Sequence, residues 1–357
     1  PKISFVVGKK AAWKKVTAKK KINDNKKFTG WNTKEDGSGL SFEDGDDFIN
    51  LTEKEDSTVT LYAQWKANTY SVVFNGNGFT NTDERMLNQT FTYDDEKKAL
   101  STNKFERAGY TFLGWNTDKD AKVADFSNKQ EVRNLTSENN GKVILYAIWK
   151  ANPDTPYTVK HMVEDVAGGT YSEKDVENLK GTTDTKVTPR TKEYVGFTAP
   201  ATQSAVIAGD GSTVVTYNYT RNKYSVDVDC DKGISSITGT GKWYYESEQI
   251  IKATVKDGYK FDKWVDDNDV KVSDETTFKY VVTNKKVRFY AKTIGNDYTI
   301  RFNSNGGNGD MADIAMIYGE TENLPDNAYT RTGYVFKGWN TKPNGSGEIY
   351  NDTAEVK

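Results

Sequence analysis

The chain has 357 residues, and we expect a chain of this length to fold as several domains rather than around one core. With 13% aromatic, 28% charged and 35% hydrophobic residues, it has too many rings for a disordered protein, and its composition favours small aromatic cores. The 49 basic and 51 acidic side chains give a net charge of −2, so the whole molecule has no field that would select nucleic acid or an anionic membrane.

The first predicted unit, residues 1–67, carries two tryptophan motifs. Gly-Trp-Asn-Thr at 30–33 contains Trp31, and Leu-Tyr-Ala-Gln-Trp at 61–65 ends in Trp65, which is 34 residues further on. The apolar residues before Trp65 alternate with their neighbours, which is the period-two pattern of a β-strand. We interpret this unit as a copy of a repeat that is truncated at its N-terminal end.

The second predicted unit, residues 68–152, is a complete copy of the same repeat. It opens with a strand-like stretch at 70–74, and Asn-Gly-Asn-Gly at 75–78 then favours turns with positive φ. Its middle motif, Gly-Tyr-Thr-Phe-Leu-Gly-Trp, contributes Gly109, Tyr110, Phe112, Gly114 and Trp115. Leu-Tyr-Ala-Ile-Trp closes the unit at Trp149, again 34 residues after the middle tryptophan, and this register indicates a true internal repeat.

The third predicted unit, residues 153–221, differs from its neighbours because it has no tryptophan motif. The chain enters it through Asn-Pro-Asp-Thr-Pro at 152–156, the one clear linker, whose two prolines are not expected inside a sheet. A strand predicted over 157–163 carries the only histidine, His161. We interpret His161 as a structural or exposed residue, since a histidine-based catalytic triad would have to form around it alone.

The fourth predicted unit is a divergent copy at 222–296, and the fifth is a C-terminally truncated copy at 297–357. In the fourth, Trp264 lies six residues after a glycine, as in the other copies, but Thr293 stands where the closing tryptophan would be. The fifth begins with a strand-like stretch at 298–302, followed by an asparagine- and glycine-rich turn at 305–309. Its middle motif contributes Gly333, Tyr334, Phe336 and Trp339.

These patterns predict a mostly β (α+β) protein with little room for helix. The best candidates for short helices are 94–100, 173–179 and 310–316. One large ring can remove roughly 150–250 Å² from water, so a few rings can stabilise the core of a unit of about 80 residues. We therefore interpret the recurrent tryptophans as core residues rather than as platforms for a ligand.

The string Gly-Tyr-x-Phe-x-Gly-Trp-Asn-Thr, then Asn-Leu-Thr at 134–136 and Leu-Tyr-Ala-x-Trp, resembles the internalin-type B repeat, or Listeria/Bacteroides repeat. The resemblance covers nearly all of 68–152 and most of 1–67 and 298–357. Residues 222–296 resemble the divergent form, and 157–221 resemble the mucin-binding-protein repeat. Both families imply compact β-grasp, ubiquitin-like modules in an extended chain, with the first and last strands adjacent, on surface proteins mainly of Gram-positive bacteria. Neither family implies catalysis.

No other pattern in the sequence supports a catalytic, metal or cofactor site. Asp227, Asp229 and Asp231 have the spacing of the first three ligands of a calcium loop, but a lysine stands at the required glycine position. We expect these aspartates to form the wet face of a strand, with Cys230 as a small buried hydrophobe. As the only cysteine, it excludes an intramolecular disulfide and a cysteine-based zinc cluster. We expect no catalytic residue and no cofactor.

A lysine cluster in the first unit is the best candidate for a binding surface. It comprises Lys9, Lys10, Lys14, Lys15, Lys19, Lys20, Lys21, Lys26 and Lys27. Such a cluster could attract a polyanion such as wall teichoic acid or a host glycosaminoglycan, with contacts at Lys14, Lys15, Lys19, Lys20 and Lys21. The alternative is a lysine-rich face whose charges protect an exposed strand edge from aggregation.

The leading hypothesis is a non-catalytic stalk or display segment of a bacterial cell-surface adhesin, extracellular and built as a monomeric array. One alternative is that the modules themselves bind mucin-type glycans, host matrix or an anionic cell-wall polymer. Another is an accessory repeat region of a secreted carbohydrate-active enzyme.

No apolar run is long enough to span a membrane and the start is no signal peptide, so we expect any export signal or wall anchor to lie outside this sequence. Lysine–asparagine isopeptide crosslinks are also conceivable, but no pair is singled out.

Overall fold

The computed structural model describes residues 2–6, 26–47, 51–54, 56–83 and 85–357, and for 2–6 it describes the strand alone. The regular secondary structure of these residues consists of thirty β-strands and no helix. It follows that no helix able to cross a membrane is present in the described part of the chain. We refer to the five predicted units as modules 1 to 5, in chain order.

The strands are numbered along the chain. Module 1 contains β1 (Lys2–Val6), β2 (Lys26–Asn32), β3 (Ser41–Phe42) and β4 (Thr58–Ala67). Module 2 contains β5 (Thr69–Asn75), β6 (Gln89–Thr92), β7 (Lys98–Ala99), β8 (Tyr110–Asn116), β9 (Glu131–Val132) and β10 (Gly141–Ala151). Module 3 contains β11 (Thr155–Glu164), β12 (Tyr171–Gly181), β13 (Lys186–Val187), β14 (Phe197–Thr198), β15 (Ala205–Val206) and β16 (Val214–Arg221).

The remaining strands belong to modules 4 and 5. Module 4 contains β17 (Lys223–Cys230), β18 (Ile234–Thr238), β19 (Gly241–Tyr244), β20 (Glu248–Val255), β21 (Tyr259–Asp266), β22 (Lys271–Ser273), β23 (Thr277–Val281) and β24 (Val287–Gly295). Module 5 contains β25 (Asp297–Ile300), β26 (Ile314–Ile317), β27 (Glu322–Asn323), β28 (Trp339–Asn340), β29 (Ile349–Tyr350) and β30 (Glu355–Val356).

The chain divides into two compact units. The first consists of Pro1–Val159, Glu177–Thr188 and Gln203–Val215, and its sheets have the orders β1-β4-β2-β3, β6-β5-β10-β8, β7-β9 and β13-β15. The second consists of Lys160–Val176, Pro189–Thr202 and Thr216–Lys357, and its sheets have the orders β19-β17-β24-β21-β22, β18-β20-β23, β25-β26, β27-β30 and β28-β29. Module 3 also has a four-stranded sheet in the order β12-β11-β16-β14.

Modules 2 and 4 share one sheet topology. In each, the first and last strands are parallel neighbours, with Val72 opposite Val143 in module 2 and Val226 opposite Val287 in module 4. The last strand is antiparallel to the middle strand that carries the tryptophan motif, so both sheets are mixed. This is the adjacency of first and last strands that the resemblance to B repeats implied.

The predicted alternation along the last strand of module 2 is present in the structure. Leu145 and Ala147 on β10 are fully buried, whereas Ile144, the residue before Leu145, is 41% exposed. The buried side chains join the rings of Trp115 and Phe74 in one core cluster. In the first part of β10 one side therefore covers the core and the other faces solvent. The alternation ends at the bulge between Ile148 and Trp149, where Ile148 is buried as well.

The three predicted helices are wrong, and the protein is all-β in its described residues rather than α+β. Residues 94–100 begin with Asp94 at a φ of 66°, which breaks a right-handed helix, and then enter β7. Residues 173–179 lie in β12, and 310–316 lead into β26, which pairs with the first strand of module 5. In both places sheet pairing overrides the helix propensity of a charged sequence.

The predicted linker at 152–156 is shorter than expected. β11 begins at Thr155, so Pro156 lies inside a strand, contrary to the prediction for both prolines. Its position as the second residue of the strand explains this, since a missing N–H is tolerated best at a strand end. Beyond it, Tyr157 and Val159 are buried, and the alternation continues along β11.

Candidate functional site

The middle tryptophans of modules 1, 2 and 4 are core residues. Trp31, Trp115 and Trp264 are at most 1% exposed. The ring centroid of Trp115 is 5.0 Å from that of Phe112 and 4.9 Å from that of Phe74. The indole nitrogens of Trp115 and Trp264 have no hydrogen-bond partner within the described ranges, so packing alone holds these rings. They offer no face to a ligand.

The glycine before each of three middle tryptophans is required by space as well as by conformation. Gly114 has a φ of 143°, and a Cβ there would lie 2.4 Å from the main-chain oxygen of Phe126. At Gly30 and Gly338 the corresponding distance to a main-chain oxygen is 2.5 Å in both cases. Because real Cβ atoms do not approach so closely, any side chain here would separate the two paired segments.

The asparagine of the Gly-Trp-Asn-Thr motif organises the loop that follows it. Asn32 is 1% exposed, and its amide donates to the main-chain oxygens of Gly37 and Gly39 at 2.9 and 3.1 Å. Its side-chain oxygen accepts from the main-chain N–H groups of Lys34 and Gly39 at 2.8 and 2.9 Å. Asn340 makes the same four types of bond in module 5. Sequence reasoning missed this role, although the fixed place of the asparagine after tryptophan was the available signal.

The closing tryptophan ties the last strand to the loop that follows the first strand. In module 2 the indole N–H of Trp149 donates to the main-chain oxygen of Gly76 at 2.9 Å. In module 4, where Thr293 replaces tryptophan, its N–H and its hydroxyl each donate to the carboxylate of Asp231 at 2.6 Å. The pair of Thr293 and Asp231 therefore takes the place of the bond from the indole N–H to a main-chain oxygen, and this is the structural role of Asp231. In module 1, Trp65 packs on Phe28 with centroids 5.4 Å apart.

The motif residues of module 5 lie at an open groove that both polar and apolar side chains line. Tyr334 is 67% and Phe336 is 39% exposed, and Trp339 is half-buried rather than fully buried. A cavity of about 1100 Å³ lies beside them. In module 2, β10 lies between β5 and β8, whereas the described part of module 5 has no strand between β25 and β28. The groove therefore lies where module 2 has its last strand.

The predicted lysine surface lies almost entirely outside the described residues. Lys14, Lys15, Lys19, Lys20 and Lys21 are among the residues that the structure does not describe, so their contact with a polyanion stays a prediction. Of the cluster, Lys26 and Lys27 are described. The ammonium of Lys26 lies 3.3 Å from the carboxylate of Asp94 in module 2, which is an ion pair within the chain.

His161 is buried among tyrosine rings. It is fully buried, and its Nδ1 lies 2.9 Å from the hydroxyl of Tyr219. The rings of Tyr194 and Tyr217 pack on the imidazole with centroids 6.2 and 5.8 Å away. Burial inside the core of module 3 keeps the imidazole away from any substrate in solvent, which fits the structural interpretation of this residue.

The aspartates of β17 form ion pairs with the neighbouring strand. Asp227 lies 2.8 Å from Lys286, and Asp229 lies 3.3 Å from Arg288. The hydrogen bond from Lys286 holds the pKa of Asp227 below its usual value. The described ranges contain no group of three or more His, Cys, Asp or Glu side chains that could hold a metal ion.

Cys230 is exposed, so the prediction that it is a buried hydrophobe is wrong. It is the last residue of β17, at the exposed end of the strand. Val226, four residues earlier, is fully buried in the same strand. The alternation along β17 predicted that Cys230 is buried. Cys230 is exposed because the core of the module does not extend to the end of this strand.

The arrangement can be compared with known families and proteins. The Listeria–Bacteroides repeat domain matches residues 5–64, 70–148 and 298–357, and the divergent InlB B-repeat domain matches residues 226–292. Both are non-catalytic repeat domains. Neither match includes module 3.

Two similar proteins come from Evansella cellulosilytica. One, named "Putative Gly-rich membrane protein", is 29% identical over 322 residues, which is 87% of this chain and 35% of that protein. The other, named "Putative membrane protein", is 28% identical over 185 residues, which is 51% of this chain and 27% of that protein. The matched part of the chain thus spans between about a quarter and about a third of the length of these relatives.

Among solved structures, the Bacillus anthracis TIE protein aligns with 66% of this chain and 53% of its own, at 13% identity and a TM-score of 0.28. That score is too low to indicate a shared overall arrangement. The repeat matches are different in kind, because they fall on the motif residues whose packing and hydrogen bonds are described above. The matches to the Listeria–Bacteroides repeat domain cover more than half of the residues of this chain. The chain therefore belongs to the Listeria–Bacteroides repeat domain family, whose repeats are typical of bacterial surface proteins.

Proposed function

We propose that this chain is a non-catalytic stalk segment of an extracellular bacterial surface protein, which holds another domain of that protein away from the cell. One observation carries the proposal: the tryptophans and asparagines of the repeated motifs are used for the fold of their own module. Trp115 fills a core, Asn32 closes a loop and Trp149 ties a strand to a turn. A motif repeated for catalysis or ligand binding would direct some of these groups to solvent.

The strand topology of module 2 suits a load-bearing role. The chain enters through β5 and leaves through β10, and these strands are parallel with six residue pairs from Tyr70↔Gly141 to Asn75↔Tyr146. The entry and the exit therefore lie at opposite ends of the paired strands. A pull on both ends shears all the rungs together instead of opening them one at a time. The paired first and last strands of module 4 provide the same geometry.

Finer assignments of the fold are part of this proposal. The parallel first and last strands of modules 2 and 4 support a β-grasp type of topology, in a form without a helix among the described residues. The mucin-binding-protein resemblance of residues 153–221 stays a prediction. An extracellular location is supported by the surface-repeat family and by relatives named as membrane proteins.

Solution scattering of the whole chain tests the stalk proposal. A compact globule of 357 residues has a radius of gyration of about 20 Å. We expect a clearly larger value and a distance distribution with a long tail, because the modules follow one another as separate cores. A radius of gyration near that of a globule would reject an extended stalk.

The second candidate function is polyanion or glycan binding by the modules themselves, which the lysine density of residues 9–27 favours. Arrays of glycans, matrix proteins and wall polymers, probed with the whole chain, would test it. The control variant replaces Lys14, Lys15, Lys19, Lys20 and Lys21 by glutamine. Equal signals from the two chains would reject lysine-mediated binding, whereas a loss of signal in the variant would support it.

Two further hypotheses from the sequence have simple tests. A catalytic domain encoded beside this segment in the same gene would favour an accessory region of a secreted carbohydrate-active enzyme, and a wall-sorting tail would favour the surface stalk. Isopeptide crosslinks between lysine and asparagine release ammonia, so the intact mass would fall by about 17 Da for each bond formed. An unchanged mass would dismiss them.

A further inference from the structure

Consecutive modules are joined through one asparagine at the same structural position. Asn68 is the only residue between β4 and β5, Asn222 is the only residue between β16 and β17, and Asn296 is the only residue between β24 and β25. Asn152 follows β10 directly, with Pro153 and Asp154 between it and β11. A strand of one module therefore continues almost directly into the first strand of the next.

The N–H group of this asparagine belongs to the sheet of the preceding module. The N–H groups of Asn152, Asn222 and Asn296 donate to the main-chain oxygens of Gly109, Gly196 and Gly258 at 2.9, 2.9 and 2.8 Å. Each acceptor is the glycine that precedes an aromatic residue, in Gly-Tyr or Gly-Phe. The bond adds one rung to the pairing of the last strand with the strand that follows that glycine.

The carbonyl group of the same asparagine belongs to the sheet of the following module. It accepts from the N–H of a residue just after the strand that pairs with the first strand of that module, namely β6, β12, β19 or β26. The pairs are Tyr93 with Asn68, Thr183 with Asn152, Tyr245 with Asn222 and Tyr318 with Asn296, at 2.8, 3.0, 2.9 and 2.9 Å. One peptide segment is thus fixed to two sheets, which leaves little freedom for rotation between them.

Side chains strengthen two of these junctions. The hydroxyl of Thr111 donates to the side-chain oxygen of Asn152 at 2.7 Å, and that of Thr198 donates to Asn222 at 2.6 Å. Both threonines lie two residues after the junction glycine. In module 4 the residue at that position is Lys260, and its ammonium lies 3.1 Å from the carboxylate of Asp297 instead.

The residue after each carbonyl partner forms a turn that faces the preceding module. Asp94, Asp184, Glu246 and Gly319 all have positive φ, at 66°, 60°, 63° and 83°. The preceding module reaches these turns with a donor in every case. The ammonium of Lys26 approaches Asp94 at 3.3 Å, the hydroxyl of Tyr110 donates to Asp184, the guanidinium of Arg221 donates to Glu246 at 2.8 Å, and the ammonium of Lys232 donates to the oxygen of Gly319 at 3.1 Å.

The junction glycines pack directly on the following module. A Cβ at Gly109 would lie 2.4 Å from the Cα of Gly209, and one at Gly196 would lie 2.1 Å from the ring of Tyr245. Gly333 occupies the same motif position in module 5 with a similar φ of 81°, and a Cβ there would meet nothing within 4 Å. It thus provides a matched position at which an added Cβ would make no contact.

We propose that the junction asparagine, the junction glycine and the left-handed turn form a module-to-module docking surface that fixes the relative orientation of the modules it joins. Its partner is the end of another module of this class, where a turn residue of positive φ follows the strand that pairs with the first strand, and this residue is acidic in three of four cases. The loop around Gly333 and Tyr334 presents the same surface, and the guanidinium of Arg331 lies on the Tyr334 ring at 4.2 Å, as Arg107 lies on Tyr110 at 3.8 Å. This goes beyond the stalk proposal, because a stalk could also consist of freely jointed modules.

Electron–electron distance measurements on the whole chain test the docking surface. Spin labels are attached at Lys142→Cys in module 2 and Lys186→Cys in module 3, both exposed positions, in a Cys230→Ser background. We expect one narrow distance distribution for this labelled parent. Gly109→Ala, which inserts a methyl group against Gly209, should at least about double the width, as for modules on a flexible linker.

Gly333→Ala is the control, because it has the same backbone strain without the junction contact, and it should leave the distribution unchanged. If Gly109→Ala disrupts the fold of module 2, Asp184→Lys replaces it, since this exposed change removes the acceptor of Tyr110 without touching a core. A broad distribution in the parent, or a narrow one in the junction variant, would overturn fixed docking. Neither result would test the stalk proposal. Solution scattering tests that proposal, because it measures how extended the chain is and not how stiff its junctions are.

Discussion

Trp115 and Phe74 pack with ring centroids 4.9 Å apart and planes inclined at 57°, and this contact joins the middle strand of module 2 to its first strand. Both side chains are buried in the core cluster that includes Leu145 on the last strand. The three strands that define the module therefore meet at one ring. Since its indole nitrogen has no hydrogen-bond partner in the described part of the chain, the ring contributes through volume and area alone.

Trp115→Ala should therefore cost module 2 about 3–5 kcal/mol of unfolding free energy, which is the usual range for a buried tryptophan or phenylalanine. Amide hydrogen exchange followed by mass spectrometry reads each module separately within the whole chain. We expect the peptides of β5, β8 and β10 to lose protection, and those of module 4 to keep it. A change below about 1 kcal/mol in module 2 would contradict the core role.

Asn32→Asp should destabilise the loop after β2 in module 1. The change removes the amide that donates to Gly37 and Gly39, and it places a carboxylate oxygen against two carbonyl oxygens. Leaving such buried groups unpaired costs on the order of 2–3 kcal/mol, and local hydrogen exchange at 32–42 measures it. The matched control is Asn344→Asp, since Asn344 is exposed and acts as an acceptor toward Ser346. A similar effect of both changes would argue against the role of Asn32.

Arg221→Met should weaken module 3 and its contact with module 4. Arg221 is 7% exposed, and its guanidinium donates to the main-chain oxygens of Glu164 and Tyr245 and to the carboxylate of Glu246, each at 2.8 Å. Removing one partner of a buried ion pair costs about 3–5 kcal/mol, although the half-exposed Glu246 favours the lower end.

The control for Arg221 is Arg301→Met, since Arg301 pairs with Asp313 but its side chain is 81% exposed. An exposed pair of this kind contributes little to stability, because water screens both charges. Hydrogen exchange of β16 and β19 in the first variant, and of β25 and β26 in the second, compares the two. Equal small effects would show that the burial of Arg221 has no energetic consequence.

The phenol of Tyr110 provides a pH test of the junction between modules 2 and 3. Burial, together with the hydrogen bond to Asp184, raises the pKa of Tyr110 above its usual value of 10.0. Because the folded state holds this proton more tightly, the contact contributes fully below the unfolded pKa and is lost as the pH rises through the folded pKa.

The tyrosinate absorbance of the parent minus that of Tyr110→Phe isolates this one group. The difference curve should have its midpoint above pH 10.0, the usual pKa of tyrosine. A midpoint at or below that value would show that the phenol is not held by the junction. The distance distribution of the labelled parent should also broaden over the same pH range.

The sequence predicted the structure best at the large aromatic residues, because such rings can pack in few ways. The spacing of Trp115 and Trp149 predicted a core ring and a closing strand, and both are present, since large rings at fixed intervals can be buried together only in one register. The family resemblance also predicted adjacent first and last strands, which the parallel pairing of Val72 with Val143 confirms. These features depend on side chains, and side chains are what a sequence pattern records.

The missed features depend on main-chain groups and on distant partners. The N–H of Asn152 donates to Gly109, 43 residues earlier, through atoms that every residue possesses, so the recurring asparagine did not reveal its partner. The prediction of a helix at 173–179 relied on local propensity, which lost to pairing in a four-stranded sheet. The sequence showed that Thr293 stands in place of the closing tryptophan. Its hydrogen-bond partner, Asp231, lies 62 residues away, so the sequence did not reveal the pair.

The central claim, a stalk of separately folded modules loaded in shear, is tested most directly by stretching single molecules of the whole chain. We expect several separate unfolding events, and the one from module 2 should release about 28–31 nm of chain less the end-to-end length of the folded module, because its 85 residues extend at about 3.3–3.6 Å each. Trp115→Ala should lower the force of one event and leave the others unchanged. A single unfolding event for the whole chain, or gradual extension with no force peaks, would contradict the claim.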